Sequence, residues 1–142
     1  MQRIAVTKTN PYTPGENGLV ERMHGVALAR VRSMLTMVDL PNLWGEALAF
    51  SVEILTISPS SALMGNNPYT RRFGDKPDIS ELRTWGCLVY ALTPKLLRTN
   101  KLENPGKPCI FLGYGKTSMS YRVLDLKSGN VKELRTVEFA ED

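Results

Sequence analysis

The chain has 142 residues, of which 42% are hydrophobic and 23% charged, with a formal net charge of +4 at pH 7. This composition is typical of a globular protein and excludes a chain that is disordered throughout. No apolar run is long enough to cross a bilayer, and the first residues lack the apolar core of a signal peptide, so we expect a soluble intracellular protein.

The basic residues are unevenly distributed. Residues 1–60 contain five Lys or Arg and five Asp or Glu, whereas residues 83–127 contain eight basic residues against two acidic ones. A polyanion would be attracted to the second segment. Scattered lysines that only solvate a surface are the alternative.

Two helices are predicted in the first half of the chain. Asn10 to Gly18 is rich in turn formers and predicts a loop, and apolar residues at helical spacing then indicate an amphipathic helix from Leu19 to about Val38. A second helix is expected from Pro41 to about Ile57, because Pro suits a first helical turn. Residues 60–81 are predicted to be mostly connection, with one short helical turn.

After Arg83 the pattern changes to short β-like runs. They cover Trp85 to Leu92, Cys109 to Tyr114, Tyr121 to Leu126 and Val131 to Phe139, with a turn at residues 127–130. Four or five short strands in so few residues predict a small β-barrel. The fold class is therefore α+β.

Single residues of reactive or aromatic type are expected to be structural. Cys87 and Cys109, with His24 as the one histidine, cannot make a four-ligand zinc site, so buried thiols are expected, with a disulfide as the lesser alternative. His24 is expected at the surface. Trp44 and Trp85 lie in apolar periodic settings that favour core packing over stacking on bases.

The segment Pro11 to Arg22 carries the main chemical signal, because its loop delivers Glu21 into the first turn of a helix. Helical geometry places Arg32 on the same stripe, about 16 Å away along the axis. From these residues alone, Glu21 is a surface glutamate stabilised by the helix dipole.

The ordered motifs of the chain resemble copia-type retrotransposon integrases. Tyr12-Thr-Pro-x-x-Asn-Gly-x-x-Glu-Arg22 is similar to the family signature, and further matches follow in the family's order. These are Arg32-Ser-Met-Leu35, Leu40-Pro-x-x-Trp-x-Glu-Ala47, Pro68-Tyr69, Gly74-x-Lys-Pro-Asp78, Leu82-Arg-x-Trp-Gly-Cys87, Cys109-Ile-Phe-Leu-Gly-Tyr114, Tyr121-Arg122 and Val137-Glu-Phe139.

The resemblance implies an RNase H-like core in which two aspartates and one glutamate hold two Mg²⁺ or Mn²⁺ ions for DNA strand transfer. Glu21 aligns with that glutamate, as catalytic residue and metal ligand. The matching aspartates lie upstream in the family, and Met1 to Val20 contains none. We therefore predict that this polypeptide binds no such metal and transfers no strand alone.

The chain also departs from the family pattern. Glu16 stands where the family usually has Gln, His24-Gly25 replaces Asn-Arg, and Thr56-Ile57 replaces Asn-Arg. The replacement at residues 24 and 25 removes a cation one turn after Glu21 and introduces a helix-weakening glycine. Loss of basic residues at two positions fits a decaying element.

The resemblance also implies a domain division and partners. Residues 1–80 would be the end of the integrase core, contributing two helices, and residues 81–142 an SH3-like β-domain. DNA and other integrase subunits are the expected partners, the nucleus the expected location, and no membrane is involved. The expected DNA contacts are Asn17, Arg22, Arg32, Lys95, Arg98 and Lys101, although Asn17 also suits a plain turn and Arg22 a solvated helix surface.

Two other functions stay open at this point. The SH3-like domain could be a protein–protein interaction module that the helices cap, or the chain could be a pseudogene remnant that does not fold stably. The salt dependence of the binding affinity would distinguish DNA binding from a protein–protein interaction, since phosphate contacts weaken steeply with added salt.

Overall fold

A computed structural model describes residues 8, 10–93, 97–98, 100–102, 104–116 and 119–141. Three helices precede five strands, which confirms the α+β class. The helices are α1 (Gly18–Val38), α2 (Trp44–Ile57) and α3 (Pro68–Phe73). The strands are β1 (Leu88–Leu92), β2 (Gly106–Tyr114), β3 (Tyr121–Asp125), β4 (Val131–Leu134) and β5 (Val137–Phe139). None of the helices in these ranges combines the length and the hydropathy that a membrane span requires.

Helices α1 and α2 form an antiparallel hairpin close to the predicted bounds. Helix α1 ends where Asp39 adopts a left-handed conformation with φ of 55°. The Asp39 N–H donates to the Leu35 carbonyl at 2.9 Å. Pro41 then begins a 3-10 turn that leads into α2. A hydrogen bond from the Ser51 hydroxyl to the Ala27 carbonyl, 3.4 Å long, joins the two helices where both residues are buried.

The connection after α2 is more ordered than predicted. Helix α3 occupies six residues of it and begins with Pro68, while the Asn67 side chain accepts a 2.7 Å hydrogen bond from the Thr70 N–H. Gly74 ends the helix with φ of 85°, a conformation that glycine adopts without strain. The local sequence therefore supplies both caps of this short helix.

The strands form one antiparallel sheet in the order β4-β3-β2-β1-β5, so β4 and β5 lie at its edges, and the described strands do not pair into the closed barrel that the sequence predicted. The predicted run from Val131 to Phe139 is two strands, because the chain leaves β4 after Leu134 and pairs again with β1 from Val137. A bulge at Phe111 to Gly113 shifts the β2–β3 register, and Gly113 has φ of 147°. Bulges of this kind bend a sheet.

One hydrophobic core joins the helices to the sheet. Val31 of α1 and Ala47 and Phe50 of α2 pack in the same buried cluster as Phe111 and Val123 of the sheet. The Phe111 ring lies 6.0 Å from Phe50 and makes an edge contact with it. The helices therefore cover one face of the sheet.

The two tryptophans have opposite surroundings. Trp85 is only 4% exposed, and its indole N–H donates to the Leu112 carbonyl at 3.0 Å, which confirms core packing. Trp44 is 61% exposed, so the prediction that it packs in the core is wrong. The sheet contacts the side of α2 that carries Ala47 and Phe50, and Trp44 does not belong to the buried cluster that these two residues share with the sheet.

The cysteines are free thiols, and the disulfide alternative does not hold. Cys109 is 1% exposed, as predicted for a core residue, whereas Cys87 is half-buried. Burial raises the pKa of both thiols, and that of Cys87 rises to about 11, with a smaller effect from the nearby Glu141 carboxylate. A raised pKa disfavours the thiolate, which is the reactive form of a cysteine.

Candidate functional site

Glu21 lies in the first turn of α1, directly after the loop that the sequence predicted. The Thr13 hydroxyl donates to the Asn10 carbonyl at 2.6 Å, and Pro14–Asn17 form a 3-10 turn that leads into the helix. Asn17 precedes α1, is exposed, and makes no side-chain capping bond. The helix amino terminus stabilises a negative charge at Glu21. This agrees with the interpretation of Glu21 as a surface glutamate that the helix dipole stabilises.

The charged residues that the sequence singled out on α1 all face solvent. Glu21, Arg22 and Arg32 are exposed, and the helix is continuous between them. Eleven residues separate Glu21 from Arg32, which places them about 16 Å apart along one side. A carboxylate and two guanidinium groups are therefore available to an external partner.

The described residues do not fit the metal site of the intact family enzyme. Among them, no three His, Cys, Asp or Glu side chains come close enough together to hold a metal ion. Glu21 provides one carboxylate, whereas the family's chemistry needs three. The described residues therefore do not provide a site for a metal-dependent step.

The predicted basic contacts of the sheet region are only partly described. Lys95 lies outside the described residues. Arg98 is half-buried, and its Nε donates to the Thr93 carbonyl at 3.0 Å, which ties this guanidinium to its own loop. Lys101 is exposed.

An ion pair that the sequence analysis missed joins α2 to β3. Arg122 donates from Nε to Glu46 Oε2 at 3.0 Å and from Nη2 to Glu46 Oε1 at 2.6 Å. This hydrogen bonding raises the pKa of Arg122. Both residues belonged to motifs of the family resemblance, but 76 positions separate them, and no local pattern could have paired them.

The turn between β3 and β4 is organised by Asp125. Its carboxylate accepts hydrogen bonds from the Lys127 and Ser128 N–H groups, at 2.9 and 3.2 Å, and from Lys132 Nζ at 2.6 Å. These donors, Lys132 first, hold the pKa of Asp125 well below its usual value. All of these donors belong to the chain itself, and together with the Asp125 carboxylate they stabilise the β3–β4 turn. We call this arrangement the turn clamp.

Residues 74–87, which we call the linker, connect α3 to β1 and make polar contacts with the sheet. The Tyr114 hydroxyl donates to the Glu81 carbonyl at 2.8 Å and accepts from the Arg83 N–H at 2.9 Å. Glu141 accepts from the Thr84 N–H at 2.8 Å and lies 3.8 Å from the Arg83 guanidinium, which stands over the Phe139 ring. These contacts fix the linker between helices and sheet.

Comparison with known proteins identifies relatives of both parts of the chain. Residues 87–142 match the family of the retroviral polymerase SH3-like domain. The chain is 39% identical over 135 residues to the Retrovirus-related Pol polyprotein from transposon TNT 1-94 of Nicotiana tabacum, covering 94% of this chain and 10% of that protein. The Pol polyproteins from transposons RE1 and RE2 of Arabidopsis thaliana are 32% and 31% identical, covering 93% and 92% of this chain.

The chain spans about a tenth of the length of these curated relatives, at 10% or 9% of each. Its similarity to them runs through the helices as well as the sheet, since it covers more than nine tenths of this chain in each case. The chain therefore belongs to the Pol polyproteins of retrotransposons, as a fragment whose residues 87–142 form a retroviral polymerase SH3-like domain.

Proposed function

We propose that this chain is the part of a copia-type integrase that carries the catalytic glutamate, and that alone it binds nucleic acid without joining strands. The observation that carries the proposal is the exposed position of Glu21 in the first turn of α1, with Arg22 and Arg32 on the same helix. Its partner carboxylates would come from other parts of a polyprotein. In a eukaryotic cell the work of such a protein would be nuclear.

The exposed apolar surface of α1 supports a place within a larger RNase H-like core. Leu19, Met23 and Val26 are 70%, 44% and 39% exposed, although they continue the stripe that is buried at Ala27 and Val31. An apolar stripe that is only half covered suits a helix with a further packing partner. The rest of an integrase core would cover it.

A cleavage and joining assay tests the catalytic part of the proposal. The purified polypeptide, incubated with duplex DNA in Mg²⁺ or Mn²⁺ buffer, should produce no nicked or joined product, and Glu21→Gln should behave in the same way. Activity in the wild-type protein that Glu21→Gln abolishes would contradict the proposal.

Fluorescence anisotropy on a duplex tests nucleic-acid binding. Affinity should fall steeply between about 50 and 200 mM salt, because each phosphate contact releases counterions. Arg22→Ala, Arg32→Ala and Lys101→Ala should each weaken binding and reduce the salt slope by about one. Lys76→Ala removes an exposed cation outside the predicted contacts and should leave the slope unchanged.

The protein–protein alternative was expected to use the SH3-like domain, whereas the apolar surface described above lies on α1, so here we take α1 as the surface that would bind the partner. An apolar contact responds weakly to salt, so a partner bound with equal affinity across that salt range would favour this alternative over DNA. Replacing Met23 with a charged residue should then abolish binding, while Arg32→Ala should have no effect.

A further inference from the structure

Helix α3 carries an exposed aromatic ring beside two arginines. Phe73 is 56% exposed, and its ring centre lies 4.8 Å from that of Tyr69. The Arg72 guanidinium stands over the Phe73 ring, with Cζ 5.2 Å from the ring centre. Arg71 and Arg72 are exposed, and within the ranges that the structure describes no ion pair includes either of them. We call Arg71, Arg72 and Phe73 the α3 patch.

The α3 patch lies on a backbone that is fixed at both ends. Asn67 caps the first turn of α3, and the Gly74 N–H donates to the Thr70 carbonyl at 2.9 Å where the helix ends. Tyr69 is half-buried and contacts the ring of Phe73 from one turn earlier in the same helix. A side chain that is already held in place loses little conformational freedom when a ligand binds to it.

The charge of the α3 patch favours an anionic ligand. Residues 67–74 contain two arginines and no acidic residue. An apolar protein segment laid over Phe73 would remove water from both guanidinium groups without supplying a negative charge, which is costly. A phosphate group supplies that charge, and arginine binds phosphate through two parallel hydrogen bonds.

The exposed ring favours a ligand that also has a flat, unoccupied face. Nucleobases stack on aromatic side chains whatever their sequence, and a neighbouring arginine adds a cation–π contribution. In a duplex each base is already stacked on its neighbours, whereas a single strand offers bases that are free to stack on protein. Phosphates and free bases occur together in a single strand.

We propose that the α3 patch binds single-stranded nucleic acid, with one base on the Phe73 ring and the adjacent phosphates on Arg71 and Arg72. None of these three residues is among the DNA contacts that the sequence predicted. The site is therefore additional to the duplex contacts of the proposed function, and binding at it does not depend on them.

Two strands of equal charge separate base stacking from charge attraction. In fluorescence anisotropy, the polypeptide should bind an oligothymidine of about 12 nucleotides more tightly than an abasic oligomer with the same number of phosphates. Equal affinity for the two would overturn the proposal. An oligouridine of the same length tests RNA as the source of the strand, and binding of either strand through Phe73 supports the proposal.

Variants of the α3 patch separate the ring from the cations. Phe73→Leu should weaken oligothymidine binding at least about fivefold, because base stacking on the ring is lost, and should leave the abasic oligomer unaffected. Arg71→Ala should weaken binding of both oligomers. It should also reduce the slope of log affinity against log salt by about 0.7, the value for one phosphate contact on a single strand. Phe73→Leu should leave that slope unchanged.

Phe73→Trp keeps an aromatic ring and should retain oligothymidine binding. In a Trp44→Phe background, the fluorescence of the introduced indole should be quenched by oligothymidine and not by the abasic oligomer. Quenching by neither oligomer would contradict stacking on this ring. Far-ultraviolet circular dichroism of each variant establishes that the fold is intact.

Lys127→Ala is the matched control for Arg71→Ala, since it removes an exposed cation from the β3–β4 turn. It should leave the affinity and the salt slope unchanged, and an effect equal to that of Arg71→Ala would refute the proposal. Phe73→Leu should not change duplex affinity, and an equal loss on duplex and single strand would also refute it. Oligothymidine binding through Phe73 would stand even if the protein bound no duplex, so the two proposals fail separately.

Discussion

Replacing Phe50 with alanine tests whether helices and sheet share one core. Phe50 is 6% exposed, and its ring lies 6.0 Å from Phe111 and 6.3 Å from Tyr114. Removing a buried phenylalanine costs about 3–5 kcal/mol through lost burial and the cavity left behind. Native domains of this kind are stable by only about 5–15 kcal/mol, so the loss should be a large part of the total.

Urea unfolding should show the same loss of unfolding free energy whether the helices or the sheet is monitored. Circular dichroism at the helical minimum reports the helices, and fluorescence of buried Trp85, measured in a Trp44→Phe background, reports the sheet. In Phe50→Ala both transitions should move together to lower urea. Val52→Ala, at a 51% exposed position of the same helix, should change the unfolding free energy by less than about 1 kcal/mol. A Trp85 transition that stays at its wild-type midpoint while the helical signal shifts would refute the shared core.

Three further predictions concern charge and chemistry. In a double-mutant cycle with Glu46→Gln and Arg122→Met, the coupling energy should be about 1 kcal/mol, since both side chains are partly exposed. The pKa of Asp125 is lower in the folded than in the unfolded state. The ionised carboxylate therefore stabilises the fold above about pH 4, and this stabilisation is lost as the pH falls further. Asp125→Asn should flatten the dependence of the unfolding free energy on pH in this acid range. With a pKa of about 11, Cys87 should react with iodoacetamide at pH 8 about 100-fold more slowly than in the unfolded chain.

Each of these has a result that would contradict it. A coupling energy near zero would mean that the ion pair does not join α2 to β3 in solution. An unchanged acid limb in Asp125→Asn would show that the turn clamp does not set the acid stability. Labelling of Cys87 at the same rate in folded and unfolded protein, measured by peptide mass, would contradict its burial.

Local chemistry made the individual elements predictable. Helix α1 was expected from Leu19 and begins at Gly18, and β3 was expected to begin at Tyr121 and does. Hydrophobic periodicity and turn residues act over a few positions, so they are visible in the sequence. The split of the last predicted strand was missed because the two pieces, β4 and β5, pair with different neighbours at opposite edges of the sheet.

The tryptophans show the limit of such patterns. Both Trp44 and Trp85 lie in apolar settings, yet one is 61% and the other 4% exposed. Periodicity indicates which side of an element is apolar, whereas burial depends on what packs against that side. The same limit applies to Leu19, which continues the apolar stripe of α1 and is 70% exposed.

The sequence by itself determined the α+β class, the motif that carries Glu21 and the membership in retrotransposon Pol polyproteins, because these depend on residue type and spacing along the chain. Tertiary structure alone decided that helices and sheet share a core around Phe50 and Phe111, and that Glu46 pairs with Arg122 across 76 positions. It also brought Glu53 and Glu81 to one groove. Such contacts join residues that are distant in the chain, and they exist only once the sheet has closed against α2.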